Sequence, residues 1–200
     1  MLLRSGRKTV FCLLGVLLGR VAIIGNEGRS ETVDDAKAAA LVAWEQIASV
    51  LLHPRCLNCH QEKTPLQGDA RRIHYPPVAR ADYDAKNKDG VGVGPMKCLN
   101  CHNELGNNEM SGVPGARGWA LAPVDMKWEG LSGRELCRML IDTERNGNRS
   151  PEKLVEHMDT DSRVLWGWAP GGRRQPVPIL FEDFVRQLRT WEKGGAPCPD

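Results

Sequence analysis

The pentapeptide Cys-Leu-Asn-Cys-His occurs twice, at 56–60 and at 98–102, and this repeat constrains the fold more than any other feature of the chain. With 7 Cys and 5 His in 200 residues, a C-x-x-C-H string arises by chance only about 0.006 times. Two copies need a chemical cause, and whatever the four thiols and two imidazoles hold has to be built into the fold.

Two chemistries use such spacing. Four thiolates in two C-x-x-C pairs can form a tetrahedral zinc site. That chemistry leaves the His after each pair without a role, and the 38 residues between the pairs exceed the usual zinc-ribbon spacing. Covalent c-type haem uses every residue: each Cys of a pair adds to one vinyl group of the porphyrin, and the next residue is the His that binds iron. On this reading Cys56, Cys59, Cys98 and Cys101 attach two covalent haems, and His60 and His102 are their proximal iron ligands.

The start of the chain supports that chemistry. Arg4, Arg7 and Lys8 precede an apolar run from Thr9 to Gly19, the layout of an export signal. Arg20 interrupts the run, so 1–25 reads as a signal peptide, with an uncleaved membrane anchor as the alternative. Residues 26–200 read as one dihaem domain. Export places the protein in the periplasm, where haem is joined to such motifs.

Charge removes one class of partner. The chain carries 27 Lys+Arg against 25 Asp+Glu, and the four basic residues of 1–25 leave 23 against 25, a net charge near −2. Nucleic acid requires a concentrated positive patch, and no basic run is present. Setting aside Cys12, Cys137 and Cys198 are left over, and an oxidising compartment favours their pairing as a disulfide. Two unpaired buried thiols are the alternative.

The expected fold is mainly α with extensive coil, a cytochrome c-like set of short helices and loops wrapped around two haems. Thr32 with Asp35 opens a helix that Pro54 stops, with Val33, Ala36, Ala40, Trp44, Ile47 and Leu51 as its apolar stripe. Gly, Pro and charged residues from Gln61 to Lys97 read as coil. Ser132 with Glu135 opens a short helix through Cys137, and Ser150-Pro151 opens another. WGWAPGGRRQPVP reads as a loop. The last helix, Leu180 to Lys193, carries Phe181, Phe184, Leu188 and Trp191 on one face. A helix before the first motif and another at the chain end resemble the crossing terminal helices of class I cytochromes c.

A proximal His leaves iron one further position, and its occupant decides between electron transfer and catalysis. His74, in a Pro-flanked loop after His60, is expected to fold over the first haem. His157, in the helix opened by Ser150, is expected to serve the second. Met126, in LAPVDMKW, is the thioether candidate; Met96, Met110, Met139 and Met158 read as packing or loop residues. His53 reads as a cation at a helix C-terminus.

The wider pattern resembles a family of small exported dihaem proteins that serve as cytochrome subunits of isoquinoline 1-oxidoreductase-type molybdenum hydroxylases. The resemblance is carried by HPRCLNCH, PLQGD, His74, MKCLNCH, GVPGA, LAPVDMKWEGLS, ELCRML, RNGNRS, EHM, WGWAPG and GGAPCP. It implies a subunit that takes electrons from a donor oxidoreductase and passes them towards the respiratory chain, with no catalytic residue of its own. Membrane contact is then expected only through an uncleaved anchor. The rival from another class is a haem enzyme, such as a small peroxidase with one open iron site.

Overall fold

A computed structural model describes residues 32–78, 92–93, 96–104, 109 and 112–200. The leader, Cys12 and Met110 lie outside the described residues. The first helix, α1, spans Val33–Leu51 and starts in a full capping box: the Thr32 hydroxyl takes the Asp35 N–H, and the Asp35 carboxylate takes the Thr32 N–H. Its buried face is Ala40, Ala43, Trp44, Ile47, Ala48, Val50 and Leu51. Val33, expected on that face, is 85% exposed, because it is the first helical residue and lies beyond the packing surface.

The chain does not simply stop at Pro54. His53 caps a second short helix, α2 (Pro54–Leu57), with its Nδ1 accepting the Arg55 N–H at 3.3 Å. This corrects the expectation of a helix-terminal cation: the ring acts as an acceptor, and burial, with Arg55 beside it, lowers its pKa. Proline is tolerated at the first turn because the N–H there has no helical partner anyway.

The expected coil of 61–97 contains two antiparallel ladders: β1 (Leu66–Gln67) pairs with β2 (Arg72–Ile73), and β3 (Gly92–Val93) with β4 (Met96–Lys97). Gly68 makes the first turn with φ +71°, a region that favours glycine. Its carbonyl accepts Asn58 Nδ2 at 2.9 Å, which pins the turn against the first motif.

The helices α3 (Gly133–Ile141) and α4 (Pro151–Thr160) begin at Ser132 and Ser150, each hydroxyl capping as its sequence predicts. A one-turn helix, α5 (Ser162–Leu165), precedes the WGWAPGG loop, and α6 (Phe181–Lys193) follows it.

The core is the meeting of α1 and α6, with α3 and α4 against them. Trp44 and Trp191 pack with ring centroids 5.3 Å apart. Trp44 Nε1 donates to Gly133 O at 3.0 Å, so the indole nitrogen is satisfied where its ring is buried. Phe184, Leu188 and Trp191 are fully buried, and each such side chain contributes roughly 1.5–3 kcal/mol relative to exposure. The helices approach closely where α6 ends: a Cβ on Gly194 would lie 2.4 Å from Ala40 Cβ and 2.7 Å from Ala36 O. Beyond that point the tail returns, and Cys198 forms a disulfide with Cys137 of α3. The mainly helical class with extensive coil, and the packing of the first helix on the last, are as the sequence predicts. Among the described residues no helix is long and apolar enough to cross a membrane.

Candidate functional site

Both pentapeptides fold into a single tight turn. In the first, Cys59 N and His60 N both donate to Cys56 O at 3.1 Å. In the second, a 3-10 turn at Cys98–Asn100 brings Cys101 N to Cys98 O at 3.2 Å and His102 N to the same carbonyl at 2.9 Å. Residues three apart on such a turn share a face. In each motif the two cysteines thus sit three residues apart on one turn, with the His directly after them.

The four cysteines carry no disulfide. Burial, then the neighbouring Cys59, push the Cys56 thiol up to about 12, against the pull of Arg55. A zinc site requires deprotonated, converging thiolates. Among the described residues no three His, Cys, Asp or Glu side chains gather as such a site.

The two imidazoles are held alike. His60 Nδ1 lies 2.7 Å from Met126 O, and His102 Nδ1 lies 2.7 Å from Pro114 O. A carbonyl only accepts, so each Nδ1 carries the proton and each Nε2 is left with its lone pair. Metal-bound histidines are oriented and made more basic by this kind of bond. An indole backs each ring: Trp128 stacks on His60 with centroids 3.3 Å apart, and Trp119 on His102 at 4.9 Å and 5° between planes.

The partners are nested along the chain. The first motif takes its carbonyl and indole from 126–128, beyond the second motif, while the second takes its own from 114–119. Ala122 N donates to Cys59 O at 3.3 Å and Trp128 N to His60 O at 3.0 Å, clamping the first motif to that later segment. Glu129 strengthens the clamp by accepting from Gln61 and Arg71, and these two partners hold its carboxyl below the usual range.

A cavity of about 410 Å³ opens between the motifs, within the range of cofactor sites. Asn58 and Cys59 line it from the first motif; Cys98, Asn100, Cys101 and His102 line it from the second. Its apolar wall includes Leu66, Val78, Trp119, Leu121 and Trp166, and among the described residues its charged lining is Arg55, Arg72, Lys97 and Arg174, with no carboxylate. Arg55 is 5% exposed. It pairs with Asp69 and stands over the Trp166 ring at 5.6 Å.

The buried atoms Arg55 Nε and Asn58 Oδ1 have no hydrogen-bond partner. Such orphans are costly unless something else satisfies them. An apolar cavity with cations at its wall, Cys59, Cys98 and Cys101 beside them and the His102 imidazole among them fits a flat apolar macrocycle bearing carboxylates. The donor set is therefore one that haem would fill.

The other expected ligands separate. His74 lines the cavity, with its Nδ1 2.9 Å from Pro76 O and its ring centroid 5.8 Å from that of His102. It thus faces the second motif, whereas the spacing from His60 had predicted the first. The turn between β1 and β2 carries it across.

Met126 does meet His60, but through its carbonyl on the Nδ1 edge, opposite the nitrogen left for a metal; its side chain is buried in the helical core. His157 is half-buried on α4, with Nδ1 3.6 Å from Asp161 Oδ2, and it does not line the cavity. Burial and Arg149 lower its pKa. Met139 and Met158 are core residues as expected, while Met96 is 37% exposed at the cavity.

Residues missed from sequence are Trp119, Trp128 and the carbonyls of Pro114 and Met126. One signal was available: a Pro-containing coil ending in Trp follows the second motif twice, as GVPGARGW and LAPVDMKW. Comparison with known proteins returned no matching family model, no matching curated protein and no matching solved structure.

Proposed function

We propose that the protein is a periplasmic dihaem cytochrome c that moves single electrons between redox partners and catalyses no reaction of its own. The observation that carries this reading is the twin arrangement of His60 and His102, each with its Nδ1 on a carbonyl at 2.7 Å and an indole against its face. Cys56 and Cys59 would hold one haem and Cys98 and Cys101 the other, with His60 and His102 as proximal ligands. When bound, such groups supply a reversible one-electron change at iron.

The chain's own residues do the rest. The carbonyls of Met126 and Pro114 fix the imidazole tautomers and raise their basicity, which favours the oxidised metal. Trp128 and Trp119 hold the rings in place, so little has to reorganise when charge changes. Arg55, Arg72, Lys97 and Arg174 would offset the carboxylates of a bound haem.

Trp119 also meets Trp166 edge-on at 5.0 Å, and Trp166 lies under Arg55, which adjoins Cys56. Packed side chains therefore run from one motif to the other, and the shared cavity keeps the two sites close.

The partners in this reading are a donor oxidoreductase of the molybdenum hydroxylase type and a respiratory acceptor. Ile73, Tyr75, Leu99 and Val113 are exposed beside residues of the cavity wall, with Arg72 and Lys97 among them. An apolar rim with scattered cations suits brief, salt-sensitive docking of an acidic partner surface. The test is a redox titration followed by carbon monoxide addition. The expected result is reversible one-electron reduction at each haem with no rapid carbon monoxide binding. Rapid binding at one haem together with peroxide turnover would instead identify a haem enzyme.

A further inference from the structure

We propose that His74 and His102 bind the same iron, so that the loop leaving the first motif supplies the sixth ligand of the second haem. The inference rests on the dihaem reading and adds to it which residues share a metal.

Four observations converge. His74 and His102 both line the one cavity between the motifs. Their ring centroids are 5.8 Å apart, and two imidazoles on one metal, each bonded through Nε2 at about 2 Å, place their ring centres about 6 Å apart. Each ring is already committed through Nδ1, His102 to Pro114 O at 2.7 Å and His74 to Pro76 O at 2.9 Å. Both therefore keep the proton on Nδ1 and the lone pair on Nε2, the form in which neutral imidazole binds metal. The planes are inclined by 50°, and rotation of either ring about its metal bond tolerates such an angle.

His60 is placed differently. Trp128 covers one face of its ring, and neither His157 nor Met126 lines the cavity.

The hairpin explains how the chain achieves it. Leu66 N is bound to Asn58 O at 3.0 Å and Asn58 Nδ2 to Gly68 O at 2.9 Å, which anchors β1 to the first motif. The ladder pairs Leu66 with Ile73, so His74 emerges beside the start of the hairpin rather than at its tip. A ligand carried this way ties the two haem sites together: ordering the hairpin on the first motif positions the imidazole for the second.

The second haem would then have bis-imidazole ligation. This lowers its potential relative to a Met/His site.

The test uses the exported holoprotein and reads electron paramagnetic resonance of the oxidised form, with covalent haem counted on the denatured chain. In His74→Ala, both haems remain attached, one low-spin signal converts to high-spin, and added imidazole restores it. In His102→Met the same signal is perturbed and the other is unchanged. His74→Met serves where the Ala variant folds poorly, and it gives a thioether-ligated spectrum at that one haem.

The proposal is overturned if His74→Ala leaves both low-spin signals intact, or if it and His102→Met perturb different signals. If the wild-type chain carries no covalent haem, the functional reading itself fails, a result distinct from either of these.

Discussion

The Cys98→Ser/Cys101→Ser variant is expected to keep its fold and lose one covalent haem, with about half of the haem absorbance. The asymmetry of the core predicts this. Cys56 and Leu57 pack against the buried helical cluster of α1, α3, α4 and α6, while no residue of 98–102 belongs to that cluster. The first site also draws Met126 O and Trp128 from the core-forming segment. Removing the second attachment should therefore leave the helices and the proposed first haem site in place.

The mirror variant, Cys56→Ser/Cys59→Ser, should lose a haem and stability together, because the first group would close one side of the core. Covalent haem content and helical circular dichroism of the two variants check this. Equal loss of helix in both would contradict it.

The second large effect concerns the tail. The Cys137–Cys198 disulfide closes a span of 61 residues, and in the loop-closure model its removal costs about 4 kcal/mol. Cys137 is fully buried, and the bridge holds the segment whose Pro197 carbonyl accepts Trp191 Nε1 at 2.9 Å. Cys137→Ala/Cys198→Ala should thus lower the thermal midpoint strongly, loosening the end of α6 against α1. Thiol reductant should lower the midpoint of the wild type towards that of the variant and leave the variant unchanged. The same midpoint with and without reductant in the wild type would show that the bridge contributes little.

What could be read from sequence was what short-range chemistry determines. The Thr32–Asp35 and Ser132–Glu135 boxes, and the cap at Ser150, are decided within a few residues, and each starts a helix where its sequence places it. The stripes of α1 and α6 follow from helical period alone, apart from Val33 at the first position of α1.

The site was legible only as far as its side-chain chemistry. Cys and His announce themselves, but the acceptors on His60 and His102 are backbone carbonyls, and any residue could supply them. Their order is also hidden: the first motif is completed by 126–128 and the second by 114–119, an exchange that no local spacing records. His74 shows the same limit. Counted along the chain it is nearest to His60, yet a hairpin closed by Leu66 and Ile73 turns it towards His102.

At His53 the sequence pattern misleads for a related reason. A His before Pro looks like the end of a helix, but α2 begins there, and its ring accepts the Arg55 N–H. Protonation removes that acceptor, so the cap belongs to the neutral ring.

The most direct measurement of the central claim is the intact mass of the exported chain after denaturation, taken with its haemochrome spectrum. The expected result is a mass increased by two haem groups, a c-type spectrum that survives unfolding, and no free thiol at Cys56, Cys59, Cys98 or Cys101. An unmodified mass with four titratable thiols at those positions would contradict it.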